Sequence, residues 1–298
     1  MGLRVLSNPQ AGIFALGTAS HAYLELDMEN GVDARHLVDG IGGLREQRTT
    51  MGGVNLVAGF RPELWREVAP ADTPDSLHGF NQAVEGADRF TMPATQHDAV
   101  LWLSGSTYDV VFDEARQAIK SLGALAHVAE EASSWPYHHD RDITGFIDGT
   151  ENPSLIDAFD VALVPDSNPG AGGSIFLLQK WSHDAPAWES QSIARQEHVI
   201  GRDKADSLEL NPRPADSHVV RTDQDRFGKI FRRNMAYGTV SDHGTMFVGF
   251  SAEQSRLVTM LESMAGIPDG VRDALTFFSR PLTGSFYFIP SMQALTRS

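Results

Sequence analysis

Cysteine is absent from the 298 residues. Its absence removes disulfides, iron–sulfur clusters, thiolate–metal bonds and cysteine nucleophiles together, so any metal must be held by His, Asp, Glu, Met or Tyr. Positive charge is scarce as well: 24 Lys and Arg against 39 Asp and Glu leave a formal net charge of −15 at pH 7. Phosphate backbones and anionic lipid surfaces are bound by clustered cations, so neither nucleic acid nor membrane is expected as a partner. The same charge favours solubility and draws cationic small molecules. No window approaches the ~20 consecutive apolar residues of a membrane span. Residues Met1–Pro9 hold one basic residue, no apolar run and no small-residue cleavage pattern, and a cytoplasmic location is expected.

What is present is an order of strands and helices that occurs twice. His21–Asp27 and Val54–Phe60 read as strands around a short helix at Val32–Leu44, and loops rich in Pro and Gly run on to Pro93. Asp98–Ser104 reads as a buried strand. Val111, Ala115, Ala118 and Leu122 then fall at helical spacing before Gly123, and Leu125–Ala129 returns as a strand. The second half offers a strand at Ser174–Trp181, a helix at Trp188–His198 and a strand at Gly244–Ser251. A helix carrying Leu257, Met260, Leu261 and Met264 and a last strand at Ser285–Ile289 complete it. His97-Asp98 and His243-Gly244 open equivalent strands. The expectation is an α+β fold of two ferredoxin-like halves, each β-α-β-β-α-β, divided as 1–136 and 137–298. The polar connection Asp140–Gly173 is long enough to suggest function.

Common site signatures are missing. Gly170-Ala171-Gly172-Gly173-Ser174 lacks the Lys-Ser/Thr of a phosphate loop, and Gly40-Ile41-Gly42-Gly43 lacks dinucleotide spacing. No zinc-protease helix and no nucleophile elbow occur. Adjacent residues of an extended segment point apart, so His138-His139-Asp140 does not read as one metal site. Asp148, beside Gly149, would by itself be a turn residue.

The run around Asp148 is longer than a turn requires. Gly145-Phe146-Ile147-Asp148-Gly149-Thr150-Glu151-Asn152-Pro153 closely resembles the distal-face motif of the dye-decolorizing peroxidases, a haem enzyme family. Four further segments resemble that family in order: Ile200-Gly201-Arg202, Asp216-Ser217-His218-Val219, Lys229 to Gly238 with Arg232, Arg233 and Asn234, and Leu282-Thr283-Gly284. The resemblance runs from about Tyr137 to Pro290, more faintly over the first half, and its compact loops look like the B-type subgroup. It implies two ferredoxin-like halves of dimeric α+β barrel type around one haem b per chain. It also implies hydrogen peroxide as oxidant and dyes or phenolics as small organic reductants; duplicated α+β halves often associate further, so a homo-oligomer is expected.

By this resemblance His218 is the proximal ligand to iron, and Arg202 meets a haem propionate. A carboxylate behind His218 would make the imidazole a stronger donor; Asp273 is the candidate, with Asp269 as its neighbour and rival. On the distal face Asp148 shuttles the proton of peroxide, Arg232 supplies fixed positive charge and Asn234 a hydrogen bond. Arg233 competes with Arg232, but the Arg-x-Asn spacing puts Arg232 and Asn234 on one face of a strand. A carboxylate that titrates near ~4, the ordinary value for its kind, points to activity at acidic pH. Tyr237, Trp181 and Trp188 are candidates for relaying electrons to bulky donors. A haem-handling protein, carrier or haem-modifying enzyme, is the alternative; it shares His218 and Arg202 but needs no Asp148–Arg232 pair.

Overall fold

A computed structural model describes residues 8–44, 53–138 and 140–296 of the chain. Most of the opening segment, and His139 of the His-His-Asp run, lie outside the described residues. In the first half β1 (Ser20–Met28) and β2 (Asn55–Phe60) are followed by a small hairpin, β3 (Val84–Glu85) and β4 (Thr91–Met92). Next come β5 (Ala99–Gly105) and β6 (Ala126–Trp135). Helix α1 (Ala34–Gly42) starts where the Asp33 carboxylate accepts the His36 N–H, and α2 (Pro62–Val68) has Pro at its first turn. Helix α3 (Tyr108–Leu122) buries Val111, Ala115, Ala118 and Leu122, the stripe seen in the sequence.

In the second half α4 (Leu155–Ala162) precedes β7 (Ser174–His183). Four short helices then lead to β8 (Phe231–Gly238): α5 (Ala185–Glu189), α6 (Ile193–Ile200), α7 (His218–Arg221) and α8 (Gln224–Phe227). After β9 (His243–Ser251) come α9 (Gln254–Met264), β10 (Ser279–Pro281), β11 (Ser285–Ile289) and α10 (Met292–Leu295).

Hydrogen bonding orders the first-half strands β6-β1-β5-β2 and the second-half strands β11-β7-β9-β8. Numbered within its own half, each sheet runs 4-1-3-2, the antiparallel ferredoxin-like order. The halves join at both edges, Phe288 opposite Phe60 and Ser134 opposite Tyr237, so the strands close into a barrel, with β10 added beside β7. Closure removes the free edges that a sheet must otherwise protect. The barrel interior is aromatic: Tyr23, Trp102, Phe176, Phe250 and Tyr287 are each at most 1 % exposed. Helices α1, α2, α3 and α9 cover the outer face of the sheets and form a separate core, whereas α4 adds Ala158 and Ala162 to the barrel-interior cluster.

Two expectations need correction. Trp188–His198 is not one helix: Ser192 accepts the Arg195 N–H and starts α6 afresh, after α5 has ended at Glu189. A serine that satisfies a free backbone donor makes a new helix start there better than continuation. The stretch before Pro93 is not all loop, because α2 buries Leu64, Trp65 and Val68 against the barrel. The long connection from Asp140 likewise contains α4, capped by Ser154.

Candidate active site

Strand alternation divides the second-half sheet into two surfaces. Phe231 and Arg233 of β8 point into the barrel, whereas Arg232 and Asn234 point outward beneath the helices. There the sheet and helices do not close on each other. A cavity opens, walled by Gln179, Trp181 and His183 of β7, Thr245 and Phe247 of β9, and Leu257, Met260, Leu261 and Met264 of α9. Its walls are mostly apolar, as in most small-molecule pockets.

One polar face is a hairpin made by the Gly145–Pro153 motif and the residues before it. The Asp148 N–H donates to the Asp140 carbonyl (2.7 Å) and the Asp142 N–H to Phe146 (3.0 Å), around a turn closed by Gly145 at φ +87°. That φ favours glycine over residues with a Cβ. The Trp188 indole N–H donates to the Thr144 carbonyl (3.0 Å) and holds the turn from below. Asn152 acts as a strand neighbour to β8: its amide donates to the Arg232 carbonyl (2.8 Å) and accepts the Arg232 N–H (3.0 Å). The hairpin is thereby fixed against the sheet. Asp148 Oδ1 accepts from Arg232 Nη1 (2.6 Å) and Asn234 Nδ2 (2.8 Å), and Oδ2 accepts the Asn234 N–H (3.2 Å). The structure thus brings Asp148, Arg232 and Asn234 together. Arg233 lies elsewhere, inside the barrel over Trp102 at 5.0 Å, donating to the carbonyls of Ile13 and Ala15.

The other polar face is His218, the first residue of α7. Its Nδ1 lies 2.7 Å from Asp273 Oδ2, and Asp273, fully buried, is held by the Leu275 N–H on its second oxygen (2.9 Å). Asp269, the rival, instead pairs with Arg221 at 2.9 Å. Burial pulls the His218 imidazole down, but the charge and hydrogen bond of Asp273 outweigh it and leave the imidazole above its ordinary value. His183, also on the wall, has no carboxylate partner among the described residues; burial, then the charge of His243, lowers it to about 4.

Arg202 follows Gly201, which ends α6 at φ +92°, where a Cβ would stand 2.6 Å from Ser217 Oγ. One guanidinium nitrogen meets Glu151 (2.8 Å) and Glu209 (2.9 Å), another the Ser207 carbonyl (2.8 Å). Its Nε is buried, meets no partner among the described residues and belongs to a side chain on the cavity wall. Of the aromatic candidates, Trp181 lines the cavity, Trp188 supports the hairpin, and Tyr237 faces the barrel with its hydroxyl unpartnered.

These features fit haem. Among the described residues no three His, Asp or Glu side chains converge to hold a bare ion. His218 offers one imidazole with Nδ1 engaged and Nε2 free of protein hydrogen bonds, the unpartnered Arg202 Nε suits an anionic group, and the apolar walls suit a macrocycle. The Asn152 clamp and Asp142 were not singled out in the sequence. The signal for Asn152 was there, since a side-chain amide is the one group able to imitate a strand edge.

Comparison with known proteins agrees. The chain matches the family profile of the Dyp-type peroxidase N-terminal domain over residues 10–135 and that of the C-terminal domain over 139–294, and it belongs to the Dyp-type peroxidase family. A dye-decolorizing peroxidase of Mycobacterium tuberculosis is 36 % identical over 252 residues, covering 81 % of this chain and 75 % of that protein. A variant of Rhodococcus jostii RHA1 DypB, solved in complex with heme, superposes with a TM-score of 0.85 at 32 % identity, over 98 % of this chain and 97 % of that one. The encapsulated DyP-type peroxidase of Mycobacterium smegmatis gives 0.87 at 30 % identity, over 97 % and 98 %. The chain is therefore a haem-dependent peroxidase.

Proposed function

We propose that the chain reduces hydrogen peroxide at one haem b held in the second-half cavity and draws the electrons from small organic reductants such as dyes and phenolics. The observation that carries this is the opposition, across one apolar cavity, of His218–Asp273 and Asp148–Arg232–Asn234. His218 Nε2 would hold the iron, Asp273 would fix the imidazole's orientation and raise its donor strength, and Arg202 Nε would meet a propionate. When bound, haem supplies the redox chemistry, giving two electrons to peroxide and recovering them from organic donors. Arg232 stabilises negative charge on the oxygen that leaves as the O–O bond breaks. Asn234 orients peroxide or a bridging water, and Asp148 takes the proton that peroxide releases. The apolar face of α9, with Leu257, Met260, Leu261 and Met264, excludes bulk water, which strengthens each of these contacts.

The reading extends to organisation. We place the boundary between the halves at residues 136/137 and assign the chain to the B-type subgroup. Self-association is supported by apolar side chains exposed on α4, where Ile156 is 87 % exposed beside Leu155 and Phe159.

The test is direct. Protein produced with added haem should show a Soret band, and stopped-flow mixing with peroxide should convert the resting spectrum to an oxidised one. His218→Ala should lose or greatly weaken haem retention, because the iron loses its protein ligand. Full retention with an unchanged spectrum would remove His218 from the site, and a wild-type spectrum indifferent to peroxide would make the protein a haem carrier.

A further inference from the structure

Asp142 has no part in the reaction as described, yet it shares the cavity with Asp148. The hairpin explains why. Arg141 pairs with Ile147, Asp140 with Asp148 and Asp142 with Phe146, so residues 140, 142, 146 and 148 lie on one side. Asp142 and Asp148 are diagonal neighbours on that side, a relation that sets antiparallel residues ~7–8 Å apart, and both side chains line the cavity.

Their partners are unequal. Asp148 receives three hydrogen bonds, one from the Arg232 guanidinium. Asp142 receives the Thr144 N–H (2.8 Å) and the Thr144 hydroxyl, both on Oδ1; among the described residues no donor meets Oδ2 and no cation pairs with it. Burial, then the charge of Asp148, pushes Asp142 up to about 6 against the pull of Thr144 and His218. The charged groups sharing its cavity are Asp148 on the hairpin, His218 on α7 with Asp273 behind it, Arg232 on β8, His183 on β7, and Arg202 with Glu151.

We infer that Asp142 and Asp148 form a carboxylate pair holding a single proton, with Asp142 as the acid and Asp148 as the base of peroxide activation. This rests on the function proposed above. Two like charges in one cavity are relieved when one is protonated, and the carboxylate without a cation takes the proton. In the step itself, one O–H bond of hydrogen peroxide breaks and its proton goes to Asp148. As the O–O bond breaks, the departing oxygen keeps its own hydrogen, takes the proton of Asp142 directly or through one water, and leaves as water. The two electrons come from the bound haem. The proton on Asp148 then passes to Asp142, which restores the ion pair with Arg232, and no proton is drawn from solvent.

Asp142 also serves the turn, since its Oδ1 accepts the Thr144 N–H two residues on. Asp142→Asn separates the two roles: an amide oxygen still accepts both Thr144 bonds but cannot titrate. The experiment compares haem-loaded wild type and Asp142→Asn by infrared pH titration of carboxylic-acid C=O stretching and by the pH profile of peroxide activation. Wild type should lose a carboxylic-acid band as pH rises through about 6. The variant should lack that band at equal haem occupancy. Its activation rate at pH 5 should fall by about 10²-fold, the low end for a positioned acid, and should no longer decline through the wild-type midpoint. Thr144→Val supplies a second measurement if Asp142→Asn does not fold. Losing the hydroxyl that stabilises the charged form should move the declining limb to higher pH, and an unmoved limb overturns the pair. So does an Asp142→Asn protein that keeps the wild-type band or profile. A haem-loaded wild type inert to peroxide would instead overturn the function on which the pair rests.

Discussion

The two halves share a strand order and use the space between sheet and helices in opposite ways. In the first half α1 and α3 press Leu37, Val38, Ile41, Val111 and Leu122 against the sheet, each at most 2 % exposed. Packing there is so close that a Cβ on Gly40 would lie 2.3 Å from Leu125 Cδ1. In the second half the β7–β8 connection is broken into four short helices, and α9 faces a cavity rather than a sealed layer. The same topology therefore yields a core where the crossover is short and apolar. It yields a site where the crossover is long enough to carry Arg202 and His218 around an opening. Scaffold and site are separable, and substitutions in the two halves should fail differently.

The sharpest contrast comes from Leu37→Ala. Truncating a fully buried leucine costs about 2–5 kcal/mol, so urea unfolding should shift strongly while haem affinity of the folded protein stays as in wild type. A parallel loss of haem affinity would mean that the first half shapes the cavity after all.

The reverse outcome belongs to Arg232 and Asp148, whose replacement should spare stability and damage chemistry. Arg232→Ala should slow peroxide activation by ~10²–10³-fold, the scale of losing one preorganised donor at developing charge. Asp148→Asn should lose less, because water can accept a proton but supplies no fixed cation. Arg232→Ala also leaves the Asp148 carboxylate without its cation. Stopped-flow rates at matched haem occupancy check both, and a slower Asp148→Asn would reverse the ranking.

The smallest effect lies at the seam. Glu25 of the first half, inside the barrel, accepts the hydroxyls of Tyr287 (2.6 Å) and Ser285 (2.7 Å) from the second half. Burial raises its carboxyl above the ordinary glutamate value, although both hydroxyls oppose this. The folded state thus holds the proton more tightly than the unfolded chain. The stability due to this group is complete below the ordinary glutamate pKa of ~4.3 and is lost as pH rises from there through the raised folded value. Glu25→Gln keeps an acceptor for both hydroxyls and should flatten that decline, gaining on the order of 1 kcal/mol at pH 8. Urea unfolding of both proteins at pH 5 and pH 8 measures it, and equal slopes with pH would exclude Glu25 as the titrating group.

Much of this was legible in the residues, for identifiable reasons. Period-two spacing separated Arg232 from Arg233, and the structure places them on opposite faces of β8. The position of Asp273 ahead of Leu282-Thr283-Gly284 was enough to propose it, while Asp269 stood equally near in sequence; only folding brought Asp273 within 2.7 Å of His218 and sent Asp269 to Arg221. The break between α5 and α6 was missed because Trp188, Val199 and Ile200 keep an apolar pattern across it, and Ser192 interrupts by a local hydrogen bond that periodicity does not register. Asp142 was passed over because an Asp three residues before a Gly reads as turn chemistry, and turn chemistry it also performs.

The amino-acid sequence by itself determined the duplicated β-α-β-β-α-β order, the exclusion of thiolate chemistry and the residue types facing the cavity, because these follow from periodicity, composition and short motifs. Tertiary structure decided what depends on distance. The barrel closes through narrow junctions at Phe60–Phe288 and Ser134–Tyr237, partners that no local pattern links. The protonation of Asp142 and His218 was likewise decided in the fold, because burial and neighbouring charge come from elements far apart in the chain.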